Sequence, residues 1–211
     1  KLLASCLDSL YEFEPILENG DLDNPDIARN TSPAVMSYHG IQYQSMAPEV
    51  MDDEQLTWLQ THLWILSGLY GCVRPFHGVE PYRLEMGAKL AVDDARDLYG
   101  FWDDKLACAI APTGSNTTVV NLASVEYAKA VLPHLAGDAT PVTCLFGEGV
   151  RNGKPIQRST ASKKARGSMV RWMAENKVED AAGLTEFNLG YRHVPEFSSP
   201  DSMVFINEQM P

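Results

Sequence analysis

The 211-residue chain is poor in the features that mark specialised protein classes. It has four cysteines, at positions 6, 72, 108 and 144, and none forms a CxxC pair. Thiols so widely spaced read as free, reduced side chains of a cytosolic protein, neither a disulfide frame nor a zinc site. No apolar run approaches the roughly 18 to 20 residues of a membrane-spanning helix, so no membrane partner is expected. The opening residues lack Met and turn acidic within eight positions, unlike a secretory leader, and are expected to belong to a processed or partial chain. His39, His62, His77, His134 and His193 are scattered without HxxxH or HExxH spacing, so neither a metal nor a cofactor is expected. There is no GxSxG elbow and no other catalytic signature, and no internal repeat or low-complexity tract.

Positive charge is also scarce. Lys and Arg number 17 against 28 Asp and Glu, a formal net charge of −11, which argues against a binder that coats nucleic acid with overall positive charge. The distribution is uneven. Residues 1–60 hold 2 basic and 11 acidic side chains, whereas residues 151–177 hold eight basic ones against Glu175 alone. An island of +7 therefore sits in an acidic protein.

The pattern of elements is mixed α and β. Residues 1–18 show helical spacing of Leu3, Leu7 and Leu10, and a turn-rich ENGDLDNPD stops them. Asp52 and Asp53 cap an amphipathic helix through residue 62, and LWILSG (63–68) reads as a buried strand. A long Pro/Gly-rich loop follows. Residues 98–111 read as one helix, 117–124 as a strand and 125–135 as a helix of about ten residues. TPVTCLFGEG and KPIQRST flank Asn152-Gly153, a type I′ hairpin signal. That hairpin accounts for the glycines of GEGVRNG better than a phosphate loop does, since no helix follows to receive a pyrophosphate. Residues 162–178 form the strongest helix, with Met169, Trp172 and Met173 as an apolar stripe and Lys163, Lys164, Arg166 and Arg171 as a basic surface. A short helix (179–187) and a strand (202–208) close a chain expected to be one compact α/β (mixed α+β) domain over 1–211, a mixed sheet with helices around it.

Three clusters concentrate candidate chemistry. RPFHGVEPYRLEMG (74–87) gathers Arg74, Tyr82, Arg83 and Glu85 in a loop stiffened by proline; its arginines suit phosphate or carboxylate, or simply structural ion pairs. In NLASVEY, Asn121, Ser124 and Glu126 lie where a strand enters a helix, a common site in α/β proteins, although Ser124 reads equally as a helix cap. In STASKKARG, cations in the first helical turn oppose the helix dipole. This local violation points to an anion site; the bland reading is a solvated charged face.

LSGLYGCVRPFHGVEPYRLEMG, NLASVEYAKAV and SKKARGSMVRWMAENKV, in that order, closely resemble the YaaA peroxide-stress-resistance family of bacterial cytosolic proteins. PAVMSYHGIQYQ, DLYGFWDDKL and GLTEFNLGYRH support the likeness, which is strongest over residues 33–211. Residues 1–32 match poorly. They contain neither the SPAK-type motif after an apolar strand nor an LxGIG hairpin signature, so an N-terminally truncated or divergent member is expected. The resemblance implies one α/β domain with a basic cleft that binds DNA with little sequence preference and limits damage from iron and peroxide. Lys163, Lys164, Arg166 and Arg171 would line that groove, with Arg74 and Arg83 on its second side. Binding would be weak and salt-sensitive, because a −11 protein repels DNA elsewhere. The rival expectation is an enzyme for a small anionic substrate, a nucleotide or carboxylate, in a pocket lined by Arg83, Glu85, Asn121, Glu126, Lys163 and Lys164.

Overall fold

A computed structural model of the chain describes residues 31–208. The helix expected over 1–18, the turn after it and Cys6 lie outside the described residues. The first elements are short because backbone punctuation is dense. Strand β1 (Ser32–Pro33) leads into α1 (Ala34–Ser37), and Gly40 at φ 138° separates α1 from α2 (Ile41–Met46). Helix α3 (Asp53–His62) starts at a full capping box: Gln55 N donates to Asp52 Oδ1 at 2.9 Å, and Asp52 N donates to Gln55 Oε1 at 3.3 Å. The strand expected over 63–68 is the three-residue β2 (Ile65–Ser67), paired antiparallel with β3 (Gly71–Val73). Strand β4 (Gly78–Val79) pairs with β1.

The single helix expected over 98–111 is two, α4 (Leu98–Trp102) and α5 (Lys105–Ile110). Asp103 sits between them at φ 44°, outside helical geometry, so the hydrogen-bond ladder cannot run through. After β5 (Thr118–Asn121), the ten-residue helix expected from 125 is one turn, α6 (Val125–Ala128), followed by a 3-10 turn at Leu132–His134. Pro133 has no N–H to give and disfavours helical geometry at the residue before it. Strand β6 (Thr140–Gly147) then leads to the hairpin β7 (Val150–Arg151) and β8 (Lys154–Pro155). Asn152 and Gly153 turn it at φ 51° and 72°, as the dipeptide demands.

Helix α7 (Ser159–Asn176) is the longest element among the described residues. It starts three residues before the sequence pattern suggests, so Lys163 and Lys164 lie in its second turn, beyond the free N–H groups. The expected placement of cations against the first turn is thereby corrected. The short helix expected over 179–187 is a 3-10 segment, Ala181–Glu186. Strand β9 (Tyr191–His193) has no counterpart in the sequence reading, and β10 (Ser202–Asn207) matches the expected terminal strand.

The protein is of the α/β class, organised on a mixed four-stranded sheet of order β5-β6-β10-β9. The first two pairings are parallel and the last antiparallel. Side chains alternate across the strands, which puts Cys144 and Phe146 of β6 on the face that α7 covers with Ala165, Met169 and Trp172. The other flank of α7 gives Val170 and Ala174 to a second core shared with Val35, Met46, Trp58 and Leu59. Gly167 permits this seating: a Cβ there would lie 1.9 Å from the carbonyl oxygen of Gln42 in α2. A third core, under residues 86–107, gathers Met86, Leu98, Leu106 and Val131. Among the described residues, no helix is long and apolar enough to cross a membrane.

Candidate functional site

The segment from Ser67 to Gly87 is held as an ordered strap by hydrogen bonds from distant parts of the chain. Ser67 is fully buried, and its Oγ accepts the amides of Leu69 (3.2 Å) and Tyr70 (2.9 Å). With both acceptor positions filled, its own proton goes to Tyr82 Oη at 2.5 Å, and Tyr82 Oη shares a further hydrogen bond with Tyr38 Oη at 2.8 Å. Tyr38 stacks on Tyr43 at 5.5 Å, and Tyr70 meets Tyr82 edge-on at 5.4 Å, its own oxygen accepting the Glu80 amide at 3.0 Å. Burial pushes the Tyr43 and Tyr82 phenols far above their ordinary range, and those of Tyr70 and Tyr127 also upward. The cluster therefore offers neutral hydroxyl donors at physiological pH.

The second motif joins the strap through a carboxylate. Glu126 Oε1 accepts the Gly87 amide at 2.7 Å, and its backbone oxygen accepts Tyr99 Oη at 3.2 Å. Ser124 caps α6, accepting the Tyr127 amide at 3.5 Å. Asn121 ends β5. Its Oδ1 accepts the Ala123 amide and its Nδ2 donates to Thr143 Oγ1 at 3.3 Å. Because Asn121 pairs with Thr143 and alternates with Cys144, its side chain projects from the sheet face opposite α7. Gln42 links this motif to α7: its Nε2 donates to Leu122 O at 3.5 Å, and its backbone carbonyl lies against Gly167. The carboxyl end of β5, where the motif begins, is the kind of edge at which ligands bind in open α/β sheets.

The basic residues divide by environment. Arg74 is engaged within the fold: its Nη1 donates to the carbonyls of Thr61 (3.0 Å) and Leu63 (3.3 Å), and its guanidinium lies 3.7 Å over the Trp64 ring. Arg83 and Glu85 are exposed, and neither forms an ion pair among the described residues. Lys163 and Lys164 are likewise exposed and unpaired there, as are Arg151 and Lys154 on the adjoining hairpin. Arg171 pairs with Glu175 at 2.7 Å, and Lys177 with Glu54 at 2.6 Å. Arg166 departs from the expected basic surface. It is half-buried, its Nε is sealed from water without a hydrogen-bond partner, and burial lowers its pKa.

Tyr38, Ser67, Tyr70 and Tyr127 belong to this site although sequence reasoning did not single them out. Their only signal is the density of tyrosine around the motifs; hydrogen bonds spanning 15 and 44 positions leave none. Cys108 is exposed, whereas the Cys72 and Cys144 thiols are sheltered. Burial lifts Cys72 to about 11 and Cys144 to about 12, so both stay protonated at neutral pH.

The sequence model described as peroxide stress protein YaaA matches residues 6–197. A UPF0246 protein of Pediococcus pentosaceus is 46% identical over 211 residues, covering 100% of this chain and 81% of that protein. One from Desulfitobacterium hafniense is 44% identical over 182 residues, covering 86% of this chain and 71% of its own. A third, from Lactiplantibacillus plantarum, is 41% identical over 208 residues, 98% of this chain and 81% of its own. With the family's model spanning nearly all of it and relatives above 40% identity along their shared length, this chain belongs to the peroxide stress protein YaaA family.

Proposed function

We propose that this chain serves peroxide tolerance in the bacterial cytoplasm by binding duplex DNA with little sequence preference, limiting the damage that iron and peroxide inflict. The observation that carries the reading is the unpaired basic face at the start of α7. Arg151, Lys154, Lys163 and Lys164 are exposed and carry no ion pair among the described residues, in a protein of net charge −11. Unpaired lysines and arginines neutralise backbone phosphates and release counterions, which gives affinity without reading bases. The acidic remainder of the surface confines the duplex to this face and keeps binding weak at physiological salt. Arg83 supplies a second-side contact; Arg74 acts indirectly, by fixing the 61–74 turn.

The test is duplex binding at low salt by the double variant Lys163→Glu/Lys164→Glu. Both side chains point to solvent, so the protein stays folded, and duplex binding is expected to disappear. Unchanged affinity in the folded double variant removes α7 from the DNA face.

A further inference from the structure

The β7–β8 hairpin stands apart from the four-stranded sheet as a two-stranded ribbon of its own. Its register sets Arg151 directly opposite Lys154, and Val150 opposite Pro155. Residues opposed in this way project from one side of an antiparallel pair, with Cβ atoms about 4.5 to 5.5 Å apart. Neighbours along a strand project to opposite sides. Val150 and Pro155 are half-buried and turn to the protein body, where Pro155 packs so closely on β6 that a Cβ at Gly147 would lie 2.8 Å from it. Arg151 and Lys154 therefore share the outer side, where both are exposed and neither has an ion pair among the described residues. Like charges directly opposite one another destabilise a strand pair. No acidic residue lies between 149 and 174 to relieve them, and Glu148 is taken by Arg158 at 3.2 Å. A local cost left standing in this way points to an anionic partner.

The hairpin is also fixed in place. Below its two strands, Glu148 N donates to Ile156 O at 3.0 Å and Ile156 N donates to Gly149 O at 2.8 Å, which closes the stem. An element set beforehand loses little freedom on binding. Its tip is the two-residue turn Asn152-Gly153, and every residue from 151 to 154 is exposed. A two-stranded ribbon fits the duplex major groove, roughly 12 Å wide, but not the minor groove, roughly 6 Å wide. In the major groove the guanine edge presents two acceptors, N7 and O6, the commonest base contact of Arg and Lys. We propose that the β7–β8 hairpin enters the major groove of duplex DNA, where Arg151, with Lys154 beside it, donates to guanine N7 and O6. This rests on the DNA-binding reading and deepens it: the lysines of α7 hold phosphates, while the hairpin touches base edges. Contact with single guanines favours G·C-containing duplex over A·T without selecting a longer sequence.

Fluorescence titration of the full chain at low salt tests it with three duplexes of one sequence. The first contains guanine. The second contains 7-deazaguanine, which replaces the major-groove N7 by C–H, and the third inosine, which lacks only the minor-groove amino group. Wild type is expected to bind the guanine duplex about fivefold or more tighter than the 7-deazaguanine duplex, and the inosine duplex as well as the guanine one. Arg151→Gln/Lys154→Gln changes two exposed side chains, so it folds, and it binds the guanine and 7-deazaguanine duplexes alike. Lys163→Gln/Lys164→Gln weakens both and keeps their ratio. Equal wild-type affinity for the guanine and 7-deazaguanine duplexes overturns groove entry and leaves DNA binding standing. A ratio that survives in Arg151→Gln/Lys154→Gln, or a loss confined to the inosine duplex, also overturns it. No binding of wild type to any duplex overturns this inference and the DNA-binding reading together.

Discussion

In the first half of α7, Lys163 and Lys164 stand exposed without an ion pair among the described residues; in the second, Arg171 Nε reaches Glu175 at 2.7 Å. Just past the helix, Lys177 reaches Glu54, at the start of α3, at 2.6 Å. The same sign of charge on one element is thus available at one end and neutralised at the other. Arg171 is neutralised within α7 by Glu175, and for Lys177 the cause is what its end of the helix faces. The C-terminal end runs beside the acidic first turn of α3, while the N-terminal end follows a hairpin that carries Arg151 and Lys154. A charge count along the sequence measures the island; the packing decides which part of it remains for a partner.

Neutralising two charges at each end gives the sharpest contrast. Lys163→Gln/Lys164→Gln is expected to lower duplex affinity about tenfold or more and to flatten the log–log salt slope by about 2. Arg171→Gln/Lys177→Gln, the same change in formal charge, leaves affinity and slope nearly unaltered. Equal effects in an electrophoretic or fluorescence titration would erase the distinction between the two ends.

Next in size is the seating of α7 itself. Gly167→Ala forces a Cβ to within 1.9 Å of Gln42 O, where backbone and not a flexible side chain must yield. A loss of about 1 to 3 kcal/mol is expected in urea unfolding, with the m-value unchanged. Wild-type stability for this variant would mean that α2 and α7 do not approach so closely. A smaller effect is expected at the paired end. Arg171→Ala removes an (i, i+4) pair that is about one-third exposed, and its loss should cost only ~0.3 to 0.5 kcal/mol in the same measurement.

The smallest effect is a pH dependence in the strap, away from α7. Burial, and then the neighbouring Arg74, depress the pKa of His77, whose Nδ1 accepts the Arg74 amide at 3.3 Å. The unfolded chain then binds this proton more readily than the folded one. The stabilisation is complete above the ordinary value of 6.5 and declines as pH falls below it. Burial lowers His193 in the same direction. The substitution His77→Asn should flatten the acid side of a Tm-against-pH curve, and an unchanged slope would exclude His77 as a contributor.

What was legible in the sequence was local. Asn152-Gly153 specifies its hairpin because two adjacent positive φ angles suit these residues, and Asp52 specifies the start of α3 through a cap three residues long. The 18-residue α7 announces itself by length and stripe. Errors arose where one backbone angle overrode propensity, as at Asp103, and where a short segment drew its form from neighbours, as with α6 and β9. The site was legible as three motifs and their basic residues. Its Tyr38–Tyr82–Ser67 chain was not, because such bonds join positions that have no periodic relation.

By itself, then, the sequence determined the charge island, the long helix, the hairpin and the family motifs, all of which depend on neighbours within a few positions. Only the tertiary structure decided which cations stay free. Lys177 is matched by an acid 123 positions away, Arg74 is held by carbonyls and an indole, and Arg166 is drawn under the surface because its turn of α7 packs on Cys144. Pairing and burial are properties of distance in space, and composition carries no record of that distance.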